Sequence, residues 1–518
     1  MRRRRLLAAL AALPVAGCSR SDADAGSTGT AEPLTRTAST DSEPETTETA
    51  GPGDAGRDPD AFPEDPPDWS QVTVAETTPR TYALSSQHYR TQDGAAVRFG
   101  FVATATPDHP ARLVFLLRNA SDVGNTFRLD ETPPFGRGGS IGRGPRGSDD
   151  ESLRDAGYRT DLVLAPTADH DVVRRVPDYE LADDGTWRLA APKREVWLPE
   201  RLRLGPDEWI RGEYVLLGRP EGTRYGRPTG RYDFSWRDGG FGLTVWDAES
   251  PGPEGESRFA GASVPPLRES VGWFHEADAA TTTYVRPSAE RISLPGRVDF
   301  EFVNHSRGRV ECGHWNLYKL HDGEWFHVAP RIHTSDCRVL PPGATKSFPL
   351  RAFHGAAVPC DDEGLDAGHL GGGRYAMVAG YGDETDATAA LVEIDAAPAS
   401  VEPTADVTAE RDGATVTVTS PRYGDDEHPP DATVTATRVD AAETVRLVEQ
   451  VMQSGGFAGG LRGIRNTVPF FESGVERVVL RTDDHAADGV VGHESTTRRL
   501  RIDGTAYEFA VERAGESN

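Results

Sequence analysis

The 518 residues carry 82 Asp and Glu against 56 Lys and Arg, a net charge of −26, with a hydrophobic content of 37%. This length is expected to form about two to four domains, and the acidic balance argues against a general nucleic-acid role because it repels phosphate backbones. Nine Trp and 19 Phe, in periodic runs with Val and Leu, exclude a wholly disordered acidic chain.

Arg2 to Arg5 form a basic run, Leu6 to Val15 a short apolar core, and Val15-Ala16-Gly17-Cys18 closes the segment. The apolar stretch is too short for a permanent transmembrane helix. These residues resemble a lipoprotein signal peptide over 1–18, with a lipobox and, in Arg3-Arg4-Arg5-Leu6-Leu7, a twin-arginine export signal. The resemblance implies cleavage before Cys18, lipid attachment at its thiol, and anchoring at the outer face of the cell membrane. Only Lys193, Lys319 and Lys346 are lysines, the other cations being Arg. Such a composition resembles haloarchaeal proteomes, in which an acidic surface stays hydrated while salt screens its self-repulsion.

Residues 19–68 are mostly Ser, Thr, Pro, Gly, Ala, Asp and Glu, with Leu34 and Phe62 the only large apolar side chains. Too little surface can be buried there to offset ordering entropy, so a disordered tether is expected.

Beyond Trp69, short apolar alternations separated by Gly, Pro and Asp predict strands, among them Ala96 to Val102 and Arg112 to Leu117. A divergent repeat then emerges. In the first copy, Leu113 to Leu117 leads into Asn119-Ala120-Ser121, Leu204-Gly205-Pro206-Asp207-Glu208 precedes the strand Gly212 to Leu217, and Gly230-Arg231-Tyr232-Asp233-Phe234 follows. In the second, Val298 to Val303 leads into Asn304-His305-Ser306, Leu340-Pro341-Pro342-Gly343 precedes Thr345 to Leu350, and Gly373-Arg374-Tyr375 opens the last strand. The logic is a strand ending in an Asn turn, a Pro/Gly corner launching the next strand, and Gly-x-Tyr opening a late one. This order resembles bacterial and archaeal immunoglobulin-like domains, which implies two tandem β-sandwiches, over 69–250 and 265–398. The first copy also resembles, more faintly, the sandwich named for a Bacillus intracellular proteinase inhibitor, which implies an inhibitor-like module as an alternative. It departs from both in a Gly-, Arg- and Asp-rich insertion over Pro134 to Pro199, expected to be a mobile loop or a binding loop.

Residues 401–518 read differently. Strands Ala414 to Thr419 and Ala432 to Val439 lead into Asp440-Ala441-Ala442-Glu443, which has capping-box spacing, and Val445, Val448 and Met452 share a helical stripe ended by Gly455-Gly456. Strands near Val475 to Leu480, Thr497 to Ile502 and Ala506 to Val511 complete a small α+β domain. The expected fold class is therefore mainly β: two tandem immunoglobulin-like sandwiches, a C-terminal α+β domain and a disordered N-terminal tether.

Three constellations bear on chemistry. Gly138-Gly139-Ser140-Ile141-Gly142 has the G-x-S-x-G form, but Pro133-Pro134 precedes it and Gly144-Pro145 follows, where a nucleophile elbow needs a strand and a helix. His305, His314, His321, His327, His333, His354 and His369 share the second sandwich with Cys312, Cys337 and Cys360. They invite a metal-binding or redox alternative, though Cys-x-x-Cys, His-x-His and His-Glu-x-x-His are absent and Cys360, His369 and Met377 are spaced loosely. Outside the cell a disulfide is expected instead, between Cys312 and Cys360, with Cys312 to Cys337 as the shorter option. The carboxylate runs Asp361-Asp362-Glu363 and Asp483-Asp484 lack calcium-loop spacing and read as solvated surface. Asn119 and Asn304 stand in Asn-x-Ser sequons and serve either as glycosylation sites or as turn residues. No catalytic residue, cofactor or metal is expected. The function read from these features is a non-catalytic binding or envelope-structural protein, with the lipid membrane and a surface protein or glycan as partners.

Overall fold

The computed structural model describes residues 56–514 apart from 64–68, 137–140, 143–160, 193–195, 221–228, 237–238, 268–269, 334–338, 361, 381–386, 429 and 454–460. The architecture is mainly β, with apolar side chains gathered into three successive cores. The first is built by β1 (Val72–Ala75), β2 (Arg80–Leu84), β3 (His88–Arg90), β4 (Ala95–Ala103), β5 (Arg112–Asn119), β6 (Asn125–Arg128), β7 (Ile141–Gly142), β8 (Leu162–Pro166), β9 (Tyr179–Leu181), β10 (Trp187–Leu189), β11 (Arg201–Leu204), β12 (Trp209–Gly218), β13 (Gly230–Trp236) and β14 (Gly239–Asp247).

One sheet has the order β1-β2-β14-β13, a second β3-β4-β5-β12-β10-β9, with β8 also on β12 and β7 on β8, and β11 and β6 pair as a separate ribbon. Strand β4 shows why they pack: Val97, Phe99 and Phe101 are buried while Arg98 and Val102 are exposed, the period-2 pattern of a half-buried strand. Phe99 stacks on Phe115 at 4.9 Å and meets Phe241 of the opposite sheet at 4.7 Å. Each such ring contributes roughly 2–3 kcal/mol by leaving water.

The Pro134 to Pro199 insertion is not simply a loop. Its Leu162–Pro166 segment is buried at every position and pairs with Tyr214–Gly218. Burial on both faces removes the polar alternation that would have marked a strand. Within the same insertion, His170 Nε2 lies 2.8 Å from the Tyr214 hydroxyl, and Nδ1 accepts from the Val172 N–H at 3.2 Å. Burial pushes His170 down from its usual 6.5 to about 4. The unfolded chain therefore takes up a proton between these values that the folded one refuses, so stability conferred by neutral His170 is full above pH 6.5 and falls with pH through this window. The expected loss reaches roughly 3 kcal/mol near pH 4. Chemical denaturation from pH 7 to 4, compared with His170→Gln, checks this; equal slopes would refute it.

The second core is enclosed by β15 (Val271–Trp273), β16 (Thr283–Pro287), β17 (Arg291–Ser293), β18 (Gly296–Asn304), β19 (His314–His321), β20 (Glu324–Ala329), β21 (Thr345–Ala352), β22 (Leu365–Ala367), β23 (Gly373–Gly380) and β24 (Ala387–Asp395). Its sheets run β15-β24-β23-β19-β20, with β17 on β24, and β16-β18-β21-β22. Trp315 and Phe326 stand on the two arms of the β19–β20 hairpin, closed by Asp322 and Gly323 at φ 48° and 83°. Two successive positive φ values suit the twist of a two-residue hairpin. β20 lies at the edge of this sheet.

The two sandwiches touch. A Cβ on Gly343, whose φ is 70°, would come within 2.8 Å of Thr244 Cβ and 3.0 Å of Ala83 Cβ. Trp246 stacks on His305 at 5.3 Å, and His305 Nδ1 sits 2.6 Å from the Pro251 carbonyl.

The C-terminal unit has β25 (Thr408–Asp412), β26 (Thr415–Thr419), β27 (Asp431–Arg438), β28 (Val445–Arg446), β29 (Arg477–Asp483), β30 (Thr497–Ile502) and β31 (Thr505–Arg513) in the order β25-β26-β29-β27-β31-β30-β28. Helices α1 (Val448–Met452), α2 (Arg462–Arg465) and α3 (Asp484–Val491) accompany the sheet. The helix expected after Asp440 begins only at Val448, because Val445 pairs with Arg501 at the sheet edge and extends the chain. Gln450 Oε1 accepts the Leu447 N–H at 3.0 Å and caps the helix in place of Asp440 and Glu443. The expected stop, Gly455-Gly456, lies outside the described residues.

Candidate functional site

The residues singled out by sequence fall into different surroundings. Cys18 and Ser140 lie outside the described residues. Asn119 and Asn304 occupy equivalent corners and are fully buried. Asn304 Nδ2 donates to the carbonyls of Gly308, Leu340 and Pro341 at 2.9–3.0 Å, and Oδ1 accepts from Ser306 N–H and Oγ–H. Asn119 repeats the set with Val123, Leu204, Gly205 and Ser121. Both amides thus work as turn residues, and a sugar on Nδ2 would have to displace these bonds.

Cys312 is fully buried and disulfide-bonded. Cys360 is a free thiol, so the expected Cys312 to Cys360 bridge is corrected. The reason is positional: Cys360 precedes the edge strand β22, where Asp366 accepts its N–H at 2.8 Å, while Cys312 is buried in the second core. The native protein is expected to react with maleimide at Cys360 without reductant; peptide mapping that finds Cys360 unlabelled would contradict this.

Three of the histidines of the second sandwich, His314, His327 and His333, gather about Asn316, and the others named here lie apart from them. His327 and His333 each place Nε2 about 3 Å from Asn316 Oδ1, and His314 stacks on His333 at 4.1 Å. His305 is held at the joint between sandwiches, and His369 faces Glu402 of the C-terminal unit at 4.0 Å. Met377 is buried in the core, away from a surface shared with Cys360. Among the described residues, the group with metal-compatible spacing is Asp425, Glu427 and His428, in a turn before β27 and outside this sandwich. Its atoms already bond one another, His428 Nδ1 to Asp425 Oδ2 at 2.8 Å. Asp483, read as solvated surface, is buried instead: it caps α3 by accepting the Ala486 N–H at 3.0 Å. Arg513 binds Asp484 and Asp488 at 2.6 Å each.

The surface with the clearest binding geometry was missed by sequence. It forms on the outer face of the β3-β4-β5-β12 sheet, where the predicted tether does not stay free up to Asp68. Gly56 to Pro63 crosses this face as a strap. The Arg57 guanidinium forks Asp171 at 2.7 and 2.6 Å, and the Arg57 N–H bonds the Trp209 carbonyl at 2.7 Å. Burial of Asp171 works against its ionisation, but Arg57 and the Arg211 N–H prevail and hold its carboxyl below the usual range. Trp209 Nε1 donates to the Asp58 carbonyl at 2.8 Å, and Phe62 meets the Trp209 ring edge-on at 5.6 Å. Phe62 and Trp69 thereby cover an apolar cluster of Val114, Leu116 and Trp209. Trp69 demands a glycine beneath it, since a Cβ on Gly100 would approach Trp69 Cβ to 2.8 Å.

Beside this strap opens a groove of about 510 Å³. Strand register fixes its cations. Arg90 pairs with Ala96, Ala96 with Arg118 and Arg118 with Trp209, while His88 pairs with Arg98 in the next row on the same face. The guanidinium groups of Arg98 and Arg118 lie over the Phe62 ring at 5.5 and 5.0 Å. His88, Arg90, Arg98 and Arg118 line the groove, with no Asp or Glu among its described lining residues, and Arg118 is paired with Asp207 beside it. Phe62 was visible in the sequence as a lone aromatic in a polar stretch, the one signal that pointed here.

No protein family and no curated protein sequence matches the chain. Among solved structures, the native conformation of E. coli alpha-2-macroglobulin is similar at 9% identity over 84% of this chain, with a TM-score of 0.12. This chain covers 23% of that protein, about a quarter of its length. A DUF4785 family protein from Legionella pneumophila is similar at 10% identity over 73% of this chain and 81% of its own, with a TM-score of 0.13.

Proposed function

We propose that this is a non-catalytic binding protein displayed at the outer face of the cell membrane, held by acylated Cys18, with the strap-bordered groove of the first sandwich as its binding face. The observation that carries the reading is the groove itself: cations on adjacent strands beside the half-buried rings of Phe62 and Trp69, with no carboxylate among its described lining residues, in an otherwise acidic protein. Residues 19–55 act as the spacer between lipid and strap, and the two sandwiches, two joined β-modules, present the groove away from the membrane. The low Lys and high Asp and Glu content supports a role in concentrated salt.

The test is retention of the purified mature chain on delipidated envelopes of its own cells. Wild type is expected to bind, and Phe62→Ala with Arg98→Ala to bind at least several-fold less, with unchanged melting of the second core. Retention indifferent to these substitutions would remove the groove from the function. Intact-mass analysis of the membrane fraction checks the anchor, since an unmodified Cys18 or an uncleaved signal is incompatible with it.

A further inference from the structure

In a chain of charge −26, an arginine drawn out of water is expected to hold a carboxylate, as Arg351 holds Asp366 and Arg513 holds Asp484 and Asp488. Where the second sandwich meets the C-terminal unit, three arginines depart from this rule. Among the described residues, no carboxylate lies within ion-pair reach of Arg331, Arg446 or Arg498. We infer that these three form a binding site for a tetrahedral oxyanion, phosphate or sulfate, free or carried on an ester. The site shares no residue with the groove of the first sandwich, so neither stands or falls with the other.

Strand register places two of the cations together. At the sheet edge, Arg446 of β28 pairs with Ile502 of β30, and Arg498 stands on the same face of β30 as the buried Leu500 and Ile502. Arg498 Nη1 donates to the Val490 carbonyl at 3.4 Å, the long limit of a hydrogen bond, which leaves its other N–H groups uncommitted. The third cation comes from the second sandwich. Gln450 Nε2 ties α1 to β20 through the His327 carbonyl at 2.9 Å; Arg331 follows the end of β20, and Arg446 precedes α1 at the same joint.

The charges at this joint are uncompensated. Burial lowers Arg446, the neighbouring Arg498 and Arg331 lower it further, and no carboxylate opposes them. Arg465 is the contrast: burial and Arg462 lower it, while Glu402 and Asp406 act in the other direction. Arg331, partly covered yet open to solvent, is lowered by burial alone. Like charges gathered at a partly buried point repel one another until an anion joins them. Arg446 also lines a cleft of about 870 Å³ between the two units, which gives a ligand its path. The cleft carboxylates Glu449, Glu393 and Asp395 are already paired with Lys319, Arg258 and Arg291. Asp322 and Asp503 stand in its turns and do not act on Arg446. Guanidinium forks take two oxygens at once, so three of them from separate segments suit the four oxygens of phosphate or sulfate better than a monatomic chloride. Because the cations come from both units, the bound anion clamps the junction and adds its binding free energy to it.

The experiment is equilibrium dialysis of the full mature chain against radiolabelled inorganic phosphate in molar NaCl, with sulfate, glycerol phosphate and added chloride as competitors. One phosphate per chain is expected to bind saturably, sulfate and glycerol phosphate to displace it, and Arg331→Gln with Arg446→Gln to weaken binding by at least roughly tenfold. Glycerol phosphate competing better than inorganic phosphate assigns the site to an ester, and the reverse to the free ion; either result upholds it. Thermal melting gives a second readout with the exposed Arg331→Gln alone. Without phosphate this variant is expected to melt no lower than wild type, and with phosphate wild type gains more than the variant, beyond the general salt effect common to both. No saturable binding, binding indifferent to the two substitutions, or displacement by added chloride as effective as by sulfate would each overturn the site. A variant that melts below wild type in phosphate-free buffer would show Arg331 engaged by the protein itself and would overturn it as well.

Discussion

Replacing Glu449 with Ala is expected to destabilise the junction between the second sandwich and the C-terminal unit by about 3–5 kcal/mol, the cost of stripping one partner from a buried ion pair. Glu449 leaves α1 and enters the second sandwich, where it is 3% exposed. There its Oε1 accepts from Lys319 Nζ, from the Gly371 N–H at 3.1 Å and from the Tyr375 hydroxyl at 3.2 Å. Burial, with Glu449 adding to it, pushes the Tyr375 phenol well above its usual range, so it remains a neutral donor. Removing the carboxylate orphans the Lys319 ammonium in a site only 12% exposed. Two further links, Gln450 Nε2 to the His327 carbonyl at 2.9 Å and Gln453 to the Gly368 carbonyl, are neutral and weaker. Thermal melting with limited proteolysis should show Ala396 to Val407 becoming cleavable before either core unfolds. Adding Lys319→Met should recover part of the loss, because neither charge is then left alone. A single variant that melts and resists protease like wild type would show that the buried carboxylate does not hold the units together.

Asn304→Ala is expected to cost about 3 kcal/mol in the second sandwich, and Asn119→Ala about the same in the first, because each removal leaves backbone carbonyls buried without donors. At Asn304 the bonded set joins three separated segments: the turn at Gly308, the corner at Leu340 and Pro341, and the end of β18. The main chain reinforces it, with Gly343 N–H donating to the Asn304 carbonyl at 2.7 Å and Asn304 N–H to the Ala344 carbonyl at 3.1 Å. The first copy matches this with Asp207 N–H to the Asn119 carbonyl at 3.1 Å and Asn119 N–H to the Glu208 carbonyl at 2.9 Å. Asn304→Asp should be worse than Ala at neutral pH, since a carboxylate oxygen would then face carbonyl oxygens at the Nδ2 position. Urea denaturation of the three variants gives the ranking. Stability of Asn304→Asp equal to wild type would mean that the amide donates nothing essential.

These two sites divide what was readable from what was not. The Asn turn, the Pro corner and the Gly-x-Tyr strand were legible because each is a local device: it satisfies or shapes backbone within a few residues, and the same local chemistry recurs in both copies. Strands such as Ala95–Ala103 and Thr497–Ile502 were legible for the related reason that one buried face imposes a period of two. The α3 cap was misread, because an Asp run looks alike whether it is solvated or accepts a helix N–H. Leu162–Pro166 escaped notice because a strand buried on both faces loses its alternation.

By itself, then, the sequence determined the mainly β class, the repeated corner and the position of most strands, since these follow from local periodicity and turn chemistry. Only the tertiary structure decided the rest. Cys360 stands outside an edge strand and stays unpaired with Cys312; Gly56 to Pro63 of the tether lie down on a sheet; Glu449 pairs with Lys319 across 130 residues of chain. It also gathered His88, Arg90, Arg98 and Arg118 from three strands into one groove. The physical reason is the same in each case: sheet register sets which distant residues become neighbours, and that register is a property of the packed whole.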